Sequence, residues 1–181
     1  MAKFYESLSP QLTEFIENQK VFFTGTAAAE GRVNVSPKGM DSFRVLSPTQ
    51  VAWLNLTGSG NETAAHLKQI NRITIMFCAF EGKPLILRLF GTARTIHEQD
   101  ADWDKYYAMF PPSNGARNIF VVDLSSVQTS CGFGVPLMDY KEDRPVLADW
   151  AERKGKEGIR EYWNEKNLIS IDGLPTGLLD D

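Results

Sequence analysis

Apolar residues recur along the chain with two different periods, and each change of period marks a new element. Ser9-Pro10 puts a capping hydroxyl before a proline at the first helical position, and Leu12, Phe15 and Ile16 follow as an apolar stripe, which predicts a helix to about Gln19. Residues 21–26 are mostly β-branched or aromatic, Glu30-Gly31 breaks the run, and Arg32-Val33-Asn34-Val35 alternates strictly; together they predict a hairpin. Ser36-Pro37-Lys38-Gly39 reads as a turn, followed by short strands over 43–46 and 51–56. A short helix is predicted over 62–70, then two longer strands over 72–80 and 85–95 joined at Glu81-Gly82-Lys83-Pro84. Residues 100–110 read as a helix stopped by Pro111-Pro112, and 118–124 and 127–130 as two closing strands. Beyond them 145–167 is mostly helical around Gly155 and Gly158, and the tail from Ser170 is irregular.

About eight strands with short connections predict an antiparallel barrel, because closure removes exposed edges. A doubly wound parallel sheet needs a crossover helix between strands, for which these connections are too short. The length of 181 residues fits one domain, 1–181, with a barrel over about 20–133 and a mostly helical extension over about 134–181. A net charge of −4 argues against nucleic acid as a partner, since such binding rests on neutralising phosphates. The N-terminal stretch lacks a continuous apolar run, which predicts neither a leader nor a membrane span. Two cysteines, Cys78 and Cys131, are too few for a disulfide framework and fit a reducing, cytoplasmic compartment. His66 and His97 stand apart from any metal-ligand spacing, so no metal centre is expected.

Four places carry candidate chemistry. Thr57-Gly58-Ser59-Gly60-Asn61-Glu62-Thr63 joins a strand to a helix; small residues let backbone N–H groups converge on an anion while the helix N-terminus adds partial positive charge. The alternative is a plain turn with Asn61 as the helix cap. Lys38 stands between a proline and a glycine, either delivering an ammonium group to a phosphate or simply solvated at a strand end. Arg88 interrupts an apolar strand and must meet an anion, a polar ligand edge or solvent. In Ser130-Cys131-Gly132-Phe133-Gly134, flanking glycines would let Phe133 lie against a flat ligand, or the stretch is a structural loop; no neighbouring histidine activates Cys131.

Three motifs in order, residues 32–39, then 57–67 with Asn71-Arg72-Ile73, then 87–93, resemble the pyridoxamine 5'-phosphate oxidase-like FMN-binding family over roughly residues 15–125. The resemblance implies a mainly β (α+β) fold, a six-stranded antiparallel split β-barrel with flanking helices, and a homodimer binding FMN at its interface. It implies cofactor-binding roles for Arg32, Ser36, Lys38, Thr57, Gly58, Ser59, Asn61 and Thr63, with Arg88 reaching the cofactor from the partner subunit. Glu62 and Thr63 stand where the oxidase proper has an Arg-Lys pair, which leaves Lys38 and Arg32 to balance the phosphate. The oxidase's C-terminal substrate segment has no counterpart either: Arg117, Arg144, Arg153 and Arg160 lie in no matching motif. The expected activity is that of an FMN-dependent oxidoreductase with no assigned catalytic residue. Its small-molecule substrate is unassigned, with pyridoxamine 5'-phosphate not expected to be the main one, and Cys131 and Phe133 are the substrate-side candidates. The alternatives are the same barrel with a deazaflavin or haem, or a non-catalytic flavin-binding protein.

Overall fold

The computed structural model describes residues 2–179; the first residue of the N-terminal stretch and the last two of the tail lie outside the described residues. In chain order the elements are β1 (Lys3–Tyr5), α1 (Pro10–Asn18), β2 (Phe22–Thr26), β3 (Asn34–Lys38), β4 (Phe43–Ser47), β5 (Gln50–Leu56), α2 (Glu62–Gln69), β6 (Ile73–Cys78), β7 (Ile86–Ile96), α3 (Trp103–Tyr107), β8 (Ala116–Ser130) and α4 (Val146–Lys166). Helix α1 starts as its sequence dictates: Ser9 Oγ accepts from the Leu12 N–H at 3.3 Å and Pro10 opens the first turn. The strands form one antiparallel sheet in the order β3-β2-β6-β7-β8-β5-β4, with β1 added alongside β8. The fold is the mainly β, split-barrel type; the sheet as a whole carries eight strands, the three-residue β1 and the edge strand β3 among them.

Two local differences from the sequence reading have physical causes. Ser36-Pro37-Lys38 continues strand β3 instead of turning, because β3 lies at a sheet edge where a proline without an N–H costs no ladder bond. The turn comes later, at Met40 and Asp41, whose φ values are 62° and 52°. Residues 116–130 form one strand, not two: the register slips at Phe90 and Gly91, so that Ser125 bulges and β8 bends without ending. Gly91 permits that bend, since a Cβ there would lie 2.1 Å from the Asp123 carbonyl oxygen. Gly91→Ala is therefore expected to lower stability by about 1–3 kcal/mol in urea unfolding, the usual cost of overpacking.

Along β7, Leu87, Leu89 and Ala93 alternate inward and are buried. Inside the barrel Phe22, Phe43 and Phe77 make edge-on and tilted contacts with centroids 4.9–5.6 Å apart, and Trp53 stacks on Phe120 at 4.5 Å. Strands β5 and β8 carry continuous apolar runs at 51–54 and 119–122 because both faces are covered there. Their other face packs under Trp103, Tyr106 and Phe110 around α3. Opposite Leu87 and Leu89, an outward row crosses six strands through the register partners Pro37, Phe23, Met76, Arg88, Gln128 and Phe4. Helix α4 bends at Gly155, which takes φ 63°. Its buried residues Ala151, Ile159 and Trp163 form a separate cluster with Leu178 of the tail. No helix among the described residues is long and apolar enough to cross a membrane.

Candidate functional site

Where β3, the end of β5 and the loop before α2 meet, they enclose a cavity of about 250 Å³. Ser36 and Lys38 reach it from β3, Asn55 from β5, and Gly58, Ser59, Gly60, Asn61 and Thr63 from the loop and first turn of α2. Alternation along β3 accounts for the pair: Asn34, Ser36 and Lys38 face inward together while Val33, Val35 and Pro37 face solvent. The two sequence segments that carry the candidate anion chemistry thus meet in space, although some twenty residues separate them.

Arg117, at the start of β8, is the cation that the sequence reading left out of this site, together with the uncharged Asn34, Asn55 and Leu56 of its lining. It is 3% exposed and lines the same cavity as Lys38. Its Nη1 donates to the Gly60 carbonyl at 3.0 Å and to Asn167 Oδ1 at 2.7 Å, while its Nε is buried without a partner. Burial, and after it the neighbouring Arg117 charge, together lower the Lys38 ammonium to a pKa of about 8. Burial likewise brings Arg117 down to about 10, with Tyr162 opposing it. Among the described residues the Lys38 side chain has no ion pair or hydrogen bond. Two cations that share a small, partly dry cavity repel each other, and an anion between them relieves both the repulsion and the lost hydration. A sequence scan for cationic motifs cannot find Arg117, because only the β5–β8 pairing, in which Leu56 lies opposite Ala116, brings it to the loop.

The amide side chains add donors. Asn61 occupies the N-cap position of α2, but its side chain makes no capping bond and instead accepts from Asn55 Nδ2 at 3.4 Å, leaving Asn61 Nδ2 buried and unpartnered. Asn55 also donates to Asn118 Oδ1 at 2.8 Å. Thr63 Oγ1 accepts from Asn34 at 3.2 Å, and Asn34 also donates to Thr26, whose hydroxyl meets His66 Nδ1 at 3.1 Å. Glu62 lines the cavity too, and its Oε1 is held by the Ile171 N–H at 3.1 Å. Thr57 is fully buried with its hydroxyl already occupied, donating to Gly115 O at 2.9 Å and accepting from Trp163 Nε1 at 2.8 Å.

Other residues singled out by sequence lie elsewhere. Arg32 does not line the cavity; its guanidinium pairs with Asp172 and its N–H donates to the same carboxylate at 2.7 Å, which holds the Asp172 carboxyl below the usual range. Arg88 sits half-buried in the outward row, with Nη1 donating to Ser130 Oγ at 3.3 Å. Cys131 is exposed, and Phe133, at 82% exposure, stands in solvent. The Phe133 N–H lowers the Cys131 thiol pKa. Neither residue lines the cavity that holds Lys38.

The fold and this cavity define a split-barrel protein with a cationic, amide-lined recess. The sequence pattern of pyridoxamine 5'-phosphate oxidase matches residues 8–131, about two-thirds of the chain and all of the cavity's lining. The pyridoxamine 5'-phosphate oxidase family protein ustO of Aspergillus flavus is 42% identical over 193 residues, covering 97% of this chain and 78% of that protein. The chain belongs to the pyridoxamine 5'-phosphate oxidase family. Two solved structures share the fold at lower identity. A candidate pyridoxamine 5'-phosphate oxidase from Lactobacillus delbrueckii has a TM-score of 0.53 and 23% identity, covering 68% of this chain and 94% of its own. HupZ of Group A Streptococcus has a TM-score of 0.52 and 19% identity, covering 66% and 91%.

Proposed function

We propose that this chain is an FMN-dependent oxidoreductase whose cofactor phosphate lies between Lys38 and Arg117. The observation that carries this reading is the pair of cations facing one cavity, with unpartnered donors on Asn61 and Arg117 beside them. Ser36, Ser59 and the backbone of the Gly58-Ser59-Gly60 loop complete the phosphate cradle, and the start of α2 adds its partial charge. The bound flavin supplies the electron exchange, while the chain binds, orients and tunes it.

At about 250 Å³ the cavity is smaller than the roughly 300–1,000 Å³ of sites that enclose a whole drug-sized ligand, so the flavin ring must lie beyond it. A second copy of the chain would cover that ring, and the outward row with Arg88 at its centre supports this homodimer. Arg88 from the partner would then steady the negative charge of the reduced flavin. We read residues 1–181 as one cytoplasmic domain of this kind. Cys131 and Phe133, exposed in a single subunit, are proposed for the substrate side only within that assembly.

Titration of the ligand-free protein with FMN and riboflavin tests the phosphate assignment. FMN should bind at least about tenfold tighter, the value of one or two charge-assisted hydrogen bonds. Equal affinities would refute it. Sedimentation should show a dimer, and a monomer binding FMN stoichiometrically would remove the interface role of Arg88. The visible spectrum separates flavin from deazaflavin and haem, and anaerobic addition of NADPH or NADH separates an oxidoreductase from a passive carrier.

Pyridoxamine 5'-phosphate itself is expected to leave the FMN oxidised under anaerobic mixing. A second dianion needs a second set of cations, yet Arg144, Arg153 and Arg160 are all exposed on the C-terminal extension and Arg117 is committed to the first cavity. Rapid, saturable bleaching would show that such a site exists.

A further inference from the structure

We infer that Asn167, at the end of α4, positions Arg117 for the phosphate and so makes the C-terminal extension part of the cofactor site. The inference rests on the flavin-phosphate reading above and extends it beyond residues 8–131, the span of the family match.

Asn167 is fully buried. Its Oδ1 accepts from Arg117 Nη1 at 2.7 Å and its Nδ2 donates to the Gly58 carbonyl at 3.1 Å. One side chain therefore joins the cation on β8 to the loop that forms the opposite wall. Its own position is set by three further bonds. The Asn167 N–H donates to Trp163 O at 2.9 Å, the Asn167 carbonyl accepts from Thr176 Oγ1 at 2.7 Å, and Trp163 in turn holds Thr57 at the root of the loop. With Nη1 occupied by Asn167 and Gly60, the plane of the guanidinium is fixed, and its remaining N–H groups, the unpartnered Nε among them, are left for an acceptor in the cavity.

The chemistry of the amide matters as much as its place. A carboxylate at this position would hold Arg117 equally well, but would cancel its charge and withdraw it from the phosphate. The neutral amide fixes the direction and leaves the full positive charge facing the cavity. Arg117 is then the binding residue and Asn167 a positioning residue that acts through it.

The test compares FMN and riboflavin affinities in Asn167→Ala and Asn167→Asp, because the two ligands differ only in the phosphate. The ratio isolates the anion site from any general loosening of the barrel, which would weaken both ligands alike. We expect the preference for FMN to fall about tenfold in Asn167→Ala, with riboflavin affinity unchanged, and to fall further in Asn167→Asp. Should the alanine variant not fold, the near-isosteric aspartate variant, checked by thermal unfolding without ligand, carries the test. A wild-type preference for FMN that survives in the variants overturns the positioning role while leaving the phosphate reading intact. No preference in the wild type overturns both.

Discussion

Replacing Lys38 by methionine is expected to stabilise the ligand-free protein at neutral pH and to cost it most of its preference for FMN. The folded-state pKa of Lys38 is about 8, below the ordinary lysine value of 10.5. Between those two values the unfolded chain binds more protons than the folded one, so stability rises with pH across that window. Below pH 8 the charged lysine carries the full penalty, about 3 kcal/mol for a shift of this size. Methionine keeps the stem and removes the charge. Urea unfolding of the ligand-free proteins should show the variant ahead by about 1–3 kcal/mol at pH 7, an advantage that fades towards pH 10. FMN binding should meanwhile weaken by roughly tenfold to a hundredfold, while riboflavin binding holds. The same linkage makes wild-type FMN affinity fall as pH rises above about 8, where the ligand-free protein loses the Lys38 proton that the phosphate must restore. A variant destabilised equally at pH 7 and pH 10 would show that Lys38 is not an uncompensated buried cation.

The largest loss of stability is expected at Trp163, far from the cavity in sequence. Its ring is 7% exposed in the cluster formed by α4 and the tail, and its Nε1 donates to Thr57 beneath the loop. Trp163→Ala removes that packing and the bond together and should cost about 3–5 kcal/mol. Trp163→Phe keeps most of the packing, so a loss nearer 1 kcal/mol would measure the hydrogen bond. Equilibrium unfolding should stay a single transition in both variants if barrel and extension fold as one domain. A small loss in Trp163→Ala, or two separate transitions, would show instead that the extension folds independently of the barrel.

The elements themselves were legible because their signals are local. Ser9-Pro10 starts α1 through its own hydroxyl and ring, and the alternation in 32–35 decides which face of β3 is inward, carrying Ser36 and Lys38 with it. The loop at 57–63 could be read as anion-suited from its small residues alone, and three motifs in order pointed to the family that the comparisons then showed. Long-range pairing was not legible. Strand β1 is three exposed residues that count as a strand only because Val127–Thr129 lie beside them, and the expected break in 116–130 became a bulge because Gly91 lets two strands approach. The same limit separates the residues of the cavity. Lys38 announced itself by its local setting, whereas Arg117 gains its place only from β5–β8 pairing, and Asn167 only from the docking of a helix 50 residues further on. Arg32, the first residue of the first motif, is drawn off by Asp172 of the tail, a partner 140 residues away. Local sequence thus determined which segments can offer donors to an anion; the charge balance of the cavity was decided by tertiary contacts, because electrostatic interaction depends on distance through space and on burial, neither of which spacing along a chain encodes.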